Sequence, residues 1–316
     1  MIGSLNLPIA KGNAKTYIFT STDLSSAPSA FRSVQRWEKP KGINFVYAML
    51  INAGTGGGGG YSFGVGTAGG GGGGGAPGNV IQFIQPAYLM PDVLYMTVAR
   101  GGAGGASATA GGYPSLSTGM WYSVAGSTAA ATRMYYAFPS TTPAGTTSGR
   151  AGAVGAGGNG GTAYTISGTT QQPGIMGFGN FAQTAVLTGF AGGFAAAGTN
   201  TTFVGRPTGG AGGGGVSAGV GYAGGNAIAP TTSEQSIWSR NLLGGANTGQ
   251  AGEDGISLLE PTFFTLPGAG GGANASGVGG GGGNGGIGCG GGGGGAGTTG
   301  GRGGNGGDGL IMLVCW

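Results

Sequence analysis

The chain has 316 residues, of which 86 are glycine and only 6% are charged, while 39% are hydrophobic. Disordered chains combine low hydrophobicity with high net charge, so this composition excludes simple disorder, and glycine has to explain the fold. All of the net charge of +4 lies in residues 1–50, where Lys11, Lys15, Arg32, Arg36, Lys39 and Lys41 face only Asp23 and Glu38.

The first 50 residues read as β structure. The start, MIGSLNLPIAKGNAK, has no basic segment leading into a long apolar one, so no signal peptide is expected. Thr16–Thr20 (TYIFT) is a β-branched and aromatic run suited to a strand. Trp37–Gly42 (WEKPKG) is a turn signal. Ile43–Ile51 (INFVYAMLI) is apolar on both pleat faces, with Ile43, Phe45, Tyr47, Met49 and Ile51 on one and Val46, Ala48 and Leu50 on the other, which predicts a strand covered on both sides. Glycine then takes over at Gly54, Gly56–Gly60 and Gly69–Gly75. Asn79–Gln85 (NVIQFIQ) and Val93–Ala99 (VLYMTVA) read as two strands joined by a turn bounded by Pro86 and Pro91.

A second glycine block opens at Arg100, and residues 107–149 form an insertion rich in Tyr, Thr and Ser. Further glycine blocks follow from Arg150, over 209–225, and from Gly268 to Gly309. Helical periodicity is weak and confined to Ser233–Leu243, which holds Trp238 and Arg240. The chain ends on the apolar run Leu310–Trp316 (LIMLVCW), expected to return to the β core.

The glycine blocks carry a beat of three. Thr299, Arg302, Asn305 and Asp308 are each separated by two glycines, and the beat recurs at Arg100, Ala103, Ala106 and at Ala156, Asn159, Thr162. Three residues is one turn of a polyproline II helix, which has no internal hydrogen bonds. Buried backbone groups must find partners, and neighbouring helices of the same type supply them if no Cβ holds the backbones apart. The expected fold is therefore mainly β, a jelly-roll-like β-sandwich core carrying a packed bundle of polyglycine II helices, with little α-helix. The expected organisation is an N-terminal β region over 1–53, a possible docking end, and a glycine-rich region over 54–316 closing on the strand 310–316, the two forming one compact unit.

The residues that carry most enzyme chemistry are missing. There is no histidine, which removes the commonest general base and transition-metal ligand. No Lys follows Lys41, so no phosphate-binding GxxxxGK[ST] loop exists, and the many GxGxxG strings follow from composition alone. Glu253 and Asp254 are the only acids close in sequence, and they read as a solvated turn before Gly255 rather than as metal ligands. No catalytic residue, metal or cofactor is expected. No basic stripe follows the glycine blocks, so nucleic acid is not an expected partner, and no run of 18 apolar residues predicts membrane insertion. Cys289 and Cys315 leave open a single bridge or two buried thiols.

Binding candidates are aromatic. Tyr113, Trp121, Tyr122, Tyr135, Tyr136 and Phe138 crowd the 107–149 insertion and would form amphipathic contact loops, unless they plug the bundle or pack between subunits. Phe178, Phe181, Phe190 and Phe194 read more readily as small cores. Lys11, Lys15, Arg32 and Arg36 are the docking candidates.

Trp37, Pro40 and Gly42 followed by INFVYAMLINAGTGGGGG, together with the ending GGGGGGAGTTGGRGGNGGDGLIMLVCW, resemble the glycine-rich domains of bacteriophage tail-fibre and other virion surface proteins. The first half is also similar to the glycine-rich extracellular domain of the anaplastic lymphoma kinase family, from which the chain departs in having no transmembrane span, no kinase region and only two cysteines. The resemblance covers about residues 40–105 and 265–316. It implies a non-enzymatic protein on the virion surface, serving host attachment at a tail or fibre tip, or alternatively capsid decoration or a head fibre. The partners implied are other virion proteins, a host glycan or outer-membrane receptor, and further copies of the chain, a trimer by preference. A non-viral extracellular fibre or biofilm protein is the reading from another class.

Overall fold

A computed structural model describes residues 14–21, 34–62, 68–78, 80–109, 111–112, 118–122, 132–137, 181–183, 189–202, 207–228, 241–259 and 263–316. The protein is mainly β. Its longer strands are β1 (Lys15–Thr20), β2 (Val34–Glu38), β3 (Phe45–Ile51), β4 (Val80–Pro86), β5 (Val93–Thr97), β6 (Thr118–Tyr122), β7 (Thr132–Ala137) and β8 (Phe181–Gln183). Short pieces follow: β9 (Thr201–Thr202), β10 (Val216–Ser217), β11 (Val220–Gly221), β12 (Ala227–Ile228), β13 (Ser257–Leu258), β14 (Phe264–Thr265), β15 (Asn274–Val278) and β16 (Gly297–Thr299). The last strand is β17 (Leu310–Cys315), and a single 3-10 turn occupies Ala87–Leu89. Among the described residues no helix is long and apolar enough to cross a membrane. The weakly periodic segment around Ser233 lies almost wholly outside them.

Two antiparallel sheets make the core. One has the order β1-β17-β3-β4-β8 and the other β2-β5-β6-β7. The C-terminal run returns to the core as expected, inserted between β1 and β3 with Leu313 opposite Ala48 and Tyr17. The alternation of β3 sorts its two faces. Val46, Ala48 and Leu50 join Phe83, Ile311 and Leu313, and meet Trp37, Leu94, Met96 and Met120 of the four-stranded sheet. Tyr47, Met49 and Ile51 join Leu310, Met312 and Val314 on the opposite face, under Phe263 and Ile287. Leu50, Leu313 and Ile311 are fully buried, and each such side chain contributes about 1.5–3 kcal/mol of apolar transfer. β4 and β5 do not form a hairpin. The chain between them crosses from one sheet to the other through the 3-10 turn.

At the Ile51, Val80 and Leu310 end the strands run on into glycine segments, and the three-residue beat reappears in their hydrogen bonds. The N–H groups of Gly290, Gly293 and Ala296 donate to the carbonyls of Thr208, Ala211 and Gly214; those of Gly291, Gly294 and Gly297 donate to Thr55, Gly58 and Tyr61; those of Gly292 and Gly295 donate to Gly283 and Gly280. The carbonyls of the same segment accept from three further segments, through Gly268 and Gly271, through Gly72 and Gly75, and through Gly301 and Gly304. The Gly290–Gly295 segment thus has six neighbours, and every third residue faces the same one. A Cβ at any position from Gly290 to Gly295 would fall on a carbonyl oxygen, which is why this run is unbroken glycine.

The outer segments follow a different rule. Thr299, Arg302 and Asn305 are exposed and Asp308 is half-buried, while the glycines between them are buried; Arg100, Ala103 and Ala106 are likewise exposed. The side-chain column faces outward, as the beat requires. The third example, Ala156, Asn159 and Thr162, lies outside the described residues.

Candidate functional site

The strands and glycine segments run end to end, so the protein has two poles. The sheet pole gathers the ends of β2, β4 and β17 and the starts of β3 and β5. Its ordering element is Lys39. The ammonium donates to the carbonyls of Ala87 (3.2 Å) and Met90 (2.8 Å) and pairs with Asp92 at 2.8 Å, while the Lys39 amide donates to the Asp92 carbonyl. This clamp seats the 3-10 turn so that Tyr88 (81%) and Leu89 (52%) stand exposed. A shallow groove of about 540 Å³ runs between Lys41, Ile43, Tyr88 and Asp92. Beside it Phe45 stacks on Trp316 with ring centroids 6.0 Å apart.

The far pole, the tip of the glycine segments, is a set of turns. Tyr61 bonds Gly70, Gly70 bridges Phe194, Gly69 bridges Val216 at the base of the β10–β11 hairpin, and Ser62 bridges Gly297. β15 ends beside β16, with Val278 opposite Thr299. The non-glycine residues with positive φ among those described, Ala108, Ala195 and Ala218, all lie in these turns. Such strain costs roughly 1–3 kcal/mol per residue and gathers at functional sites. The polar groups of the tip are turned on one another: Ser62 Oγ lies 2.5 Å from Ser107 Oγ and accepts from the Gly300 amide, and Asn274 Nδ2 donates to the Thr248 carbonyl. The large apolar side chains exposed there are Tyr61 (43%), Phe194 (57%), Val220 (52%) and Val278 (61%), beside the exposed polar residues Ser276 and Thr299.

The residues expected to carry binding are placed differently from the sequence reading. Trp121 and Tyr122 lie on β6 and Tyr135 and Tyr136 on β7, so they are strand residues of the four-stranded sheet and not contact loops; Met120 pairs Tyr135 and Gly119 pairs Tyr136. The physical reason is that MWY and RMYYA are aromatic runs that pair well on a pleated surface. Tyr113 and Phe138 lie outside the described residues, as do Lys11, Arg32 and Phe178. Lys15 is exposed on β1 and Arg36 is exposed on β2, where it pairs with Glu38. Phe181 is on β8, Phe190 is half-buried and Phe194 is exposed at the tip.

Cys289 and Cys315 are both free and buried, with no bridge between them. Burial pushes each thiol up to about 11, against lowering contacts from Thr265 and Thr208 in the case of Cys289. Neither is a thiolate nucleophile at neutral pH.

Asn305, Asp308 and the Glu253–Asp254 pair, the last read from sequence as a solvated turn, hold backbone or side-chain partners in the fold. Asp308 Oδ1 accepts from the Gly101 amide at 2.7 Å, and its other oxygen accepts from the Ser21 hydroxyl. Glu253 Oε2 accepts from the Leu243 amide at 2.9 Å and Asp254 Oδ1 from the Asn284 amide at 2.6 Å. Among the described residues no three acids or cysteines come together as a metal site. The signal available in sequence was the residue type, since short amide and carboxylate side chains readily bond nearby backbone. No protein-family model matches this chain, and no curated protein is significantly similar to it.

Proposed function

We propose that the two sheets form a β-sandwich, that the glycine segments form a polyglycine II bundle projecting from it, and that the whole is a non-enzymatic structural protein on the surface of a bacteriophage particle. The sheet pole is the docking end, with Lys15, Arg36 and the Lys39 clamp on its strands and loops. The tip of the bundle makes the host contact through Tyr61, Phe194, Val220 and Val278. Its setting is a tail or fibre tip, among other virion proteins and further copies of the chain, a trimer by preference, and its target is a glycan or outer-membrane receptor.

The observation that supports this reading is the polarity of the molecule. A rigid backbone-bonded bundle separates a strained set of turns with exposed apolar side chains from a sheet end, and loops on a rigid scaffold are where binding concentrates. The resemblance of the WEKPKG–strand–glycine and GGDGL–strand segments to virion surface proteins supplies the setting. Immunogold labelling of intact particles with antibody against this chain tests it. Label at tail tips is the expected result. Label spread over the head would move the protein to capsid decoration, and label on cell-surface filaments without label on particles would overturn the viral setting. Given tail-tip label, Tyr61→Ala with Phe194→Ala should lower particle adsorption to the host while leaving incorporation unchanged.

A further inference from the structure

Inside the bundle, the N–H groups of glycine segments donate to the carbonyls of other segments, as at Gly291 to Thr55 and Gly294 to Gly58. At the rim the same kind of bond is made by side chains. Asp254 Oδ1 accepts from the Asn284 amide (2.6 Å), Asn284 Oδ1 from the Asn305 amide (2.9 Å), and Asn305 Oδ1 from the Gly104 amide (2.9 Å). On another part of the rim Asn226 Oδ1 accepts from the Gly244 amide at 2.7 Å. Each acceptor comes from the neighbouring segment, so the bond runs across the outer groove between two segments.

We infer that these rim side chains are stoppers, standing where the carbonyls of one more glycine segment would stand, and that a rim without them is a docking surface for the glycine-rich segment of a second copy of this chain. The inference rests on the polyglycine II reading of the bundle and not on the viral setting. An exposed row of backbone donors is a template for a further chain in a β-sheet edge, and the same physics holds for a lattice bonded through its backbone. The occupant is specified by space. The faces between packed segments leave no room for a Cβ, as at Gly303 and Gly304, where it would fall on the carbonyls of Gly57 and Gly283. Only a segment with bare backbone on two of three edges can approach, and this chain carries that pattern.

The full chain tests this by sedimentation, with far-UV circular dichroism to report folding. Asn284→Gly with Asn305→Gly removes two stoppers and adds no Cβ. The expected product is a folded species of at least twice the wild-type mass. Asn284→Asp with Asn305→Asp keeps an acceptor oxygen at each place and should sediment as wild type. A folded glycine variant with the wild-type mass would overturn the inference, as would equal association of the aspartate variant. Should the double glycine variant fail to fold, Asn226→Gly carries the same expectation on a separate part of the rim. Gly304→Val separates the two failures: if it unfolds the chain while the glycine variants stay at wild-type mass, the stopper role falls and the lattice stands; if it leaves the fold intact, the lattice reading itself falls.

Discussion

The sheets and the glycine bundle solve the same problem with opposite means. Between the sheets, side chains fill space: Leu50, Met96, Met120 and Leu313 interdigitate with no exposed surface, and the strands are held by their apolar faces as much as by their ladders. In the bundle, side chains are excluded. Gly290–Gly295 is buried by backbone on every side, and cohesion comes from hydrogen bonds and close backbone contact. The two kinds of core fail differently. A side-chain core loses stability as atoms are removed, whereas a backbone core loses it as atoms are added. Each interior glycine gains about 1 kcal/mol net per hydrogen bond against about 1–2 kcal/mol of backbone ordering, so the bundle depends on its attachment to the sheets.

The sharpest way to break this comparison is to add a side chain to the bundle. Gly304→Val and Gly307→Val place a branched side chain against the carbonyls of Gly283 and Gly286, and should cost about 4 kcal/mol or more, seen as loss of the thermal transition. The same substitution at exposed Asn305 should shift it only slightly, and equal shifts at both places would remove the distinction between packed edge and open column. Next in size is removal of atoms from the sheet core. Leu50→Ala should cost about 2–5 kcal/mol in urea unfolding, while an alanine in place of Leu243, 58% exposed in the glycine region, should be close to neutral.

Alkaline pH acts on the sheet side and on Cys289 at its junction with the bundle. Burial raises Cys289 and Cys315 from 9.0 to about 11 and Tyr47 from 10.0 to about 12. The folded chain therefore keeps protons that the unfolded chain releases, and this stabilisation is complete below about pH 9 and lost as pH rises through 9 to 12. The urea midpoint should fall from about pH 8 to about pH 10.5, and less steeply in Cys289→Ser with Cys315→Ser. The smallest effect belongs to the rim: Asn305→Ala removes one exposed acceptor for the Gly104 amide and should cost under about 1 kcal/mol.

Much of this was legible. TYIFT, INFVYAMLI, NVIQFIQ, VLYMTVA and LIMLVCW coincide with β1, β3, β4, β5 and β17, because alternation and β-branched composition mark half-buried and buried strands directly. The outward column of Arg302 and Asn305 was legible from the beat, because the period fixes which residues share an edge. The sheet order was not, since the pairing of β17 with both β1 and β3 is decided by how the glycine segments lead the chain back. The short pieces such as β9 and β12 were not legible because each is two residues long, too short to show a strand's alternation. The exposed apolar residues of the tip were not legible because Tyr61, Phe194, Val220 and Val278 are scattered over more than 200 positions, with no periodicity that relates them. The aromatics of β6 and β7 were misplaced because small residues around them mimic a loop.

The period of the bundle also constrains how such a chain can change in length. Adding one residue between Arg302 and Asn305 would turn Asn305 and Asp308 off the open column and bring glycine neighbours out, so that side chains would press on Gly57, Gly283 and their like. A glycine block can therefore lengthen or shorten only in steps of three, whereas the turns at the tip, where the column ends, accept any step. In natural variants of this gene, insertions inside the blocks should come as multiples of nine nucleotides, and those in the β10–β11 hairpin should not.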